Sequence, residues 1–139
     1  MESLLRIDVS QSNLTAKVDA LGEYSRLGGR GLTSMIINKE VPANCHPLGP
    51  ENKLVIAPGL LSGTIAACSG RLSVGCKSPL TGGIKEANAG GQGANILARL
   101  GYAAIVLEGE YQGDNFYMIR ISKDGVTFEK NESFRMLTN

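Results

Sequence analysis

Between residues 70 and 93 the chain reads GRLSVGCKSPLTGGIKEANAGGQG, a segment that holds seven glycines and one arginine. Residues 72–77 alternate in side-chain character, residues 78–83 carry turn chemistry, and residues 84–88 resume an extended pattern, so a β-hairpin is predicted. The glycines let main-chain N–H groups approach an anion without an intervening Cβ. The Arg71 guanidinium adds a planar, two-pronged donor that matches a phosphate edge. Such a segment is expected to close over a polyanionic small molecule.

The flanking patterns fix the fold class. Residues 5–9 and 14–18 alternate on either side of a turn at 10–13, which predicts a second hairpin. Residues 32–41 place Leu32, Met35, Ile36 and Lys39 at helical spacing, and Pro42 prevents continuation. A rigid loop with three prolines, residues 42–53, leads into a strand at 54–57. Residues 94–100 read as a helix with Gly101 as the left-handed stop, followed by strands at 103–107, 116–122 and 126–129. The expectation is an α+β single domain over residues 1–139, with about eight strands, mostly antiparallel, and two short helices. Residues 131–139 complete no element, and Lys77 is expected on the solvent face of its hairpin.

Composition excludes several function classes. With 14 basic and 13 acidic residues the net charge is +1, too small to recruit nucleic acid or an acidic membrane, so any anion binding is local. No apolar run approaches the roughly 20 residues of a membrane span, and residues 1–4 do not resemble a secretory signal, so a cytoplasmic location is expected. Cys45, Cys68 and Cys76 lack a CxxC spacing and read as reduced, mostly buried thiols. His46 alone assembles neither a metal site nor a triad. The absence of tryptophan beside 18 glycines implies that backbone geometry, rather than stacking, makes the close contacts.

Three bland readings and one rival compete at the glycine-rich segment. Arg71 suits a surface salt bridge, Asn88 a turn cap, and Gly90 and Gly91 a tight turn. The rival is a dinucleotide loop at Gly91-Gln92-Gly93, with Glu108 as the ribose acid. It fails because Ile96 occupies the third glycine position and because Lys85, Glu86 and Asn88 do not suit a central parallel strand. A Walker-type loop lacks its Gly-Lys-Ser/Thr.

Several strings resemble one family in order. They are Leu27-Gly28-Gly29-Arg30-Gly31-Leu32, Pro50-Glu51-Asn52-Lys53-Leu54, Ser69-Gly70-Arg71, Lys77-Ser78-Pro79-Leu80-Thr81-Gly82, Ala87-Asn88-Ala89-Gly90-Gly91 and residues 101–109, GYAAIVLEG. Between about Leu4 and Met118 the chain resembles the N-terminal domain of the tungsten-containing aldehyde:ferredoxin oxidoreductases, departing from its pattern at Ser69 and Ala103. The resemblance implies a tungsten or molybdenum bis-pyranopterin cofactor contacted by Arg71, Asn88, Gly90 and Gly91. It also implies a magnesium ion between the pterin phosphates that takes the main-chain carbonyl of Asn88 as a ligand. Catalytic residues and a [4Fe–4S] cluster would belong to later domains, since no CxxCxxxC run occurs here. The implied partners are those remaining domains, ferredoxin or an electron-transfer subunit, an aldehyde substrate and, through exposed apolar surface, a second copy. A stand-alone β-rich binding or assembly module is the alternative.

Overall fold

The computed structural model describes residues 3–10 and 14–135. In chain order the elements are β1 (Ser3–Asp8), β2 (Thr15–Ala20), α1 (Gly29–Glu40), β3 (Lys53–Pro58), β4 (Arg71–Lys77), β5 (Ile84–Gly90), α2 (Gly93–Arg99), β6 (Tyr102–Glu108), β7 (Tyr117–Ser122) and β8 (Gly125–Lys130). The α+β class is as expected, and β1–β2, β4–β5 and β7–β8 are antiparallel pairs of sequence neighbours. Of the turn expected at 10–13, residues 11–13 lie outside the described residues, as do residues 136–139. Within the terminal segment expected to lack an element, Glu132–Phe134 form a short 3-10 turn whose entry is capped by Asn131.

Six strands form one sheet in the order β2-β1-β6-β3-β4-β5, and β7–β8 is a separate ribbon. Only β1 and β6 run parallel within the sheet; its remaining pairs are antiparallel. This order removes the dinucleotide-binding alternative. The strand before α2, β5, is an antiparallel edge strand, and the strand after it, β6, lies between β1 and β3. No parallel β–α–β unit is formed there, and the Glu108 carboxylate is bound by Lys53, 2.7 Å away.

The helices cover opposite faces of the sheet. Leu32, Thr33, Ile36 and Ile37 of α1 form one buried stripe. The stripe joins Leu4, Val55, Ala57, Ala104 and Val106 in the main core. Each of the larger aliphatic side chains buried there contributes about 1.5–3 kcal/mol. A Cβ at Gly75 would lie 2.7 Å from Thr33 Cβ, so that glycine lets α1 settle onto β4. Gly75→Ala would force the two apart. On the other face, Leu97 and Ala94 of the shorter α2 are buried, and a Cβ at Gly93 would touch Leu72. Gly101, at φ +92°, ends that helix as expected.

Lys77 departs from expectation. Its side chain lies on the α1 face and is buried, with Nζ donating to the carbonyls of Ala43 at 2.5 Å and Cys45 at 2.8 Å. The reason is that β4 is covered on both faces, so alternation does not leave one of them to solvent. The thiols also differ from expectation: Cys45 is buried, Cys76 half-buried and Cys68 exposed.

Candidate functional site

Alternation along β4 puts Arg71, Ser73, Gly75 and Lys77 on the side facing α1. Gly75 lies under Thr33, and a Cβ at Gly29 would come 3.5 Å from Ser73 Oγ, so α1 runs back along β4 and begins above Ser73. Arg71 therefore sits just beyond the N-terminus of α1. Its side chain is exposed, and among the described residues it has no carboxylate partner. The salt-bridge reading of Arg71 has no support in this geometry.

Directly across the ladder, Arg71 pairs with Gly90 and Ser73 with Asn88, which places Asn88 and Gly90 on the same face. Ser73 Oγ donates to Asn88 Oδ1 at 2.9 Å, and Asn88 Nδ2 donates to Glu86 Oε2 at 2.9 Å. Asn88 lies within a strand, so it is not the turn cap that the sequence also permitted.

Main-chain direction completes the arrangement. The Arg71 carbonyl accepts from Gly59 N–H at 3.1 Å, and Lys77 N–H donates to Asn52 Oδ1 at 3.0 Å, both on the β3 side. Antiparallel ladders alternate, so the residues opposite these positions, including Asn88 and Gly90, turn their own N–H and C=O groups to the open edge of the sheet. Asn88 and Gly90 thus offer main-chain carbonyls to the surroundings.

Two glycines at that edge differ in what their backbones require. Gly91 has φ +110°, a conformation other residues rarely adopt, so the tight-turn reading accounts for it. Gly90 is different: it has no positive φ, and a Cβ there would meet nothing within 4 Å. The chain itself does not require glycine at position 90.

The N-terminus of α1 lacks a side-chain cap. Its N-cap is Gly28, and the first turn holds no acid but does hold Arg30. Free N–H groups at a helix start favour an anion, and a cation there is unfavourable without one. Arg30 too has no ion-pair partner among the described residues. The site is an open corner rather than a cavity. Concavities among the described residues include one of about 490 Å³ lined by Val9, Tyr111, Phe116 and Tyr117 and another of about 180 Å³ lined by Ile37, Val41 and Lys77.

At the other end of α1 the charges are satisfied internally. Glu40 accepts from Arg6 at 2.7 and 2.8 Å, from Lys53 at 2.8 Å and from Tyr24 Oη at 2.8 Å. Burial alone would raise the Glu40 pKa, but these three donors outweigh it and bring it from the ordinary 4.5 to about 2. Burial and the bond to Glu40 push the Tyr24 hydroxyl up to about 12.

Sequence reasoning singled out Arg71, Asn88, Gly90 and Gly91, and the fold brings all four to one corner. It missed Ser73, Glu86 and the placement of Arg30 in the first turn of α1. The available signal was the spacing: once the turn at 78–83 is centred, 71, 73, 86, 88 and 90 fall on one face.

Comparison with known proteins agrees with this architecture. Residues 4–139 match the family described as aldehyde ferredoxin oxidoreductase, N-terminal domain. The tungsten-containing aldehyde ferredoxin oxidoreductase of Thermococcus kodakarensis is 42% identical over 119 residues, 84% of this chain and 19% of that protein. The enzyme of the same name from Pyrococcus furiosus is 47% identical over 94 residues, 68% of this chain and 16% of its own length. Among solved structures, the active-site complex BamBC of benzoyl coenzyme A reductase, bound to 1,5-dienoyl-CoA, superposes with a TM-score of 0.81 at 28% identity. That match covers 93% of this chain and 20% of its own. The chain thus spans about a fifth of the length of these relatives, and it belongs to the aldehyde ferredoxin oxidoreductase family as an N-terminal domain.

Proposed function

We propose that this domain seats the phosphate-bearing part of a tungsten or molybdenum bis-pyranopterin cofactor in an enzyme that oxidises aldehydes to carboxylic acids. The observation that carries the reading is Gly90, a glycine that its own fold does not need, opposite an arginine with no ion-pair partner among the described residues. A molecule lying close over the Arg71 face of this edge strand supplies the missing reason for glycine there.

The donor set fits the group. The Arg71 guanidinium and the uncapped amides of α1 would hold phosphate oxygens, while the outward carbonyl of Asn88 would suit a hard cation such as magnesium. Gly91 shapes the turn that lets the edge end there. When bound, the cofactor supplies the two-electron oxidation, and this chain's residues hold and orient it.

We assign electron acceptance to a [4Fe–4S] cluster and to ferredoxin or an electron-transfer subunit, all held outside this chain. Leu60, Leu61 and Ile65, exposed in the loop between β3 and β4 beside Gly28, suit burial against the rest of the enzyme. A cytoplasmic setting suits free thiols, and among the described residues no helix is long and apolar enough to cross a membrane. An aldehyde is favoured over an aromatic thioester because the relatives named for aldehydes are 42% and 47% identical, against 28% for the reductase.

Pterin and metal content after dialysis of the holoenzyme tests this. Arg71→Ala should weaken retention about thirtyfold, the equivalent of roughly 2 kcal/mol for a charge-assisted, two-pronged contact, and Arg71→Lys less so. Retention equal to the parent in Arg71→Ala would mean that the cofactor sits elsewhere.

A further inference from the structure

We infer that Glu86 is a positioning residue of this site, holding Asn88 so that its main-chain carbonyl stays on the open edge. The inference rests on the cofactor reading above.

Its starting point is an anomaly in β5. Glu86 is the one half-buried residue of a strand whose other residues are exposed. One carboxylate oxygen, Oε2, accepts from Asn88 Nδ2, while Oε1 is buried and has no partner among the described residues. A carboxylate oxygen buried without a partner is costly to the fold. Among the described residues, its one side-chain hydrogen bond goes to the residue that the site uses.

The consequence lies in what Asn88 would do otherwise. Asparagine is a poor strand former because its amide competes for nearby main-chain groups and draws the residue toward turn geometry. Here both ends of the amide are occupied, Nδ2 by Glu86 and Oδ1 by Ser73. The side chain is held at both ends, and the Asn88 backbone stays extended with its carbonyl directed outward. Glu86 stands two residues before Asn88, the spacing that puts both on one face of a strand. No other described residue accepts from Nδ2.

The test compares Glu86→Ala, Glu86→Gln and Arg71→Ala in the holoenzyme, with magnesium and pterin content after dialysis as the readout. Glutamine keeps an acceptor for Asn88 Nδ2 and should retain cofactor within about twofold of the parent, whereas alanine should retain it about fivefold to tenfold less well. A second readout is the pair of Asn88 side-chain amide protons in nitrogen-15 NMR spectra of the 139-residue chain. Their exchange with solvent should be slower in the parent and in Glu86→Gln than in Glu86→Ala. Should Glu86→Ala not fold, Glu86→Ser is expected to give the same order. If Glu86→Ala retains cofactor while Arg71→Ala loses it, the positioning role is wrong and the site stands. Equal losses in alanine and glutamine would also overturn it, because charge rather than the hydrogen bond would then matter. Full retention in Arg71→Ala would instead overturn the site reading itself.

Discussion

The two ends of α1 handle charge in opposite ways. At the C-terminal end, Glu40 sits among Arg6, Lys53 and Tyr24, and each charge finds its partner within the chain. At the N-terminal end, the first turn is uncapped and Arg30 and Arg71 have no ion-pair partners among the described residues. Both ends belong to one helix packed on β3 and β4, so the contrast lies in what each end meets. A closed network is what a fold needs for its own stability, and an open one is what remains when the partner is another molecule. The comparison predicts that changes at the closed end cost stability, whereas changes at the open end cost ligand.

Lys77→Ala should have the largest effect on stability. Lys77 lies beyond the closed end of α1, where its ammonium serves the carbonyls of Ala43 and Cys45. Removing it leaves those acceptors and a cavity behind, at about 3 kcal/mol, read as a lower urea midpoint. An unchanged midpoint would break the comparison, since this buried lysine would then contribute nothing to the fold.

Glu40→Gln comes next, at about 2 kcal/mol at neutral pH once the solvent reaching the network is allowed for. The sign of its pH dependence follows from the depressed pKa. The network's contribution is complete above the unfolded value of 4.5 and is lost as pH falls toward the folded value of about 2. Parent and variant should therefore converge in stability on acidification through that range, as measured by urea unfolding in buffers between neutral and strongly acid pH. A constant gap would show that Glu40 does not carry the linkage.

How much of this was legible in the sequence depends on the range of the contacts. Pro42 and Gly101 ended their helices where expected, and the hairpin across residues 78–83 set the pairing of 71 with 90 and of 73 with 88. Local chemistry decides such features. The parallel partnership of β1 with β6 was not legible, because nothing near residue 5 refers to residue 105. For the same reason, the meeting of Arg6, Glu40, Lys53 and Glu108 could not be read in advance. Lys77 was misjudged because alternation gives the parity of a strand but not what covers each face. Gly75, which admits Thr33 and brings α1 over that side, reads in sequence only as a weak point in a strand. At the site, Arg71, Asn88, Gly90 and Gly91 stood out by residue type, whereas Ser73 and Glu86 acquire meaning only from the ladder.

The smallest effect on stability is expected at Gly90, and it tests the contrast between the two ends most directly. Two quantities are measured on Gly90→Ala: the unfolding free energy of the 139-residue chain and the pterin content of the dialysed holoenzyme. A Cβ at this position meets nothing within the chain, and alanine is less flexible than glycine when unfolded, so the chain should be unchanged or about 0.5 kcal/mol more stable. The same methyl group should obstruct a ligand lying over the Arg71 face of this edge strand and strip the holoenzyme of its cofactor. A destabilised chain would show that Gly90 serves the fold after all, and a stable chain with full cofactor retention would contradict the assignment of this corner as the cofactor seat.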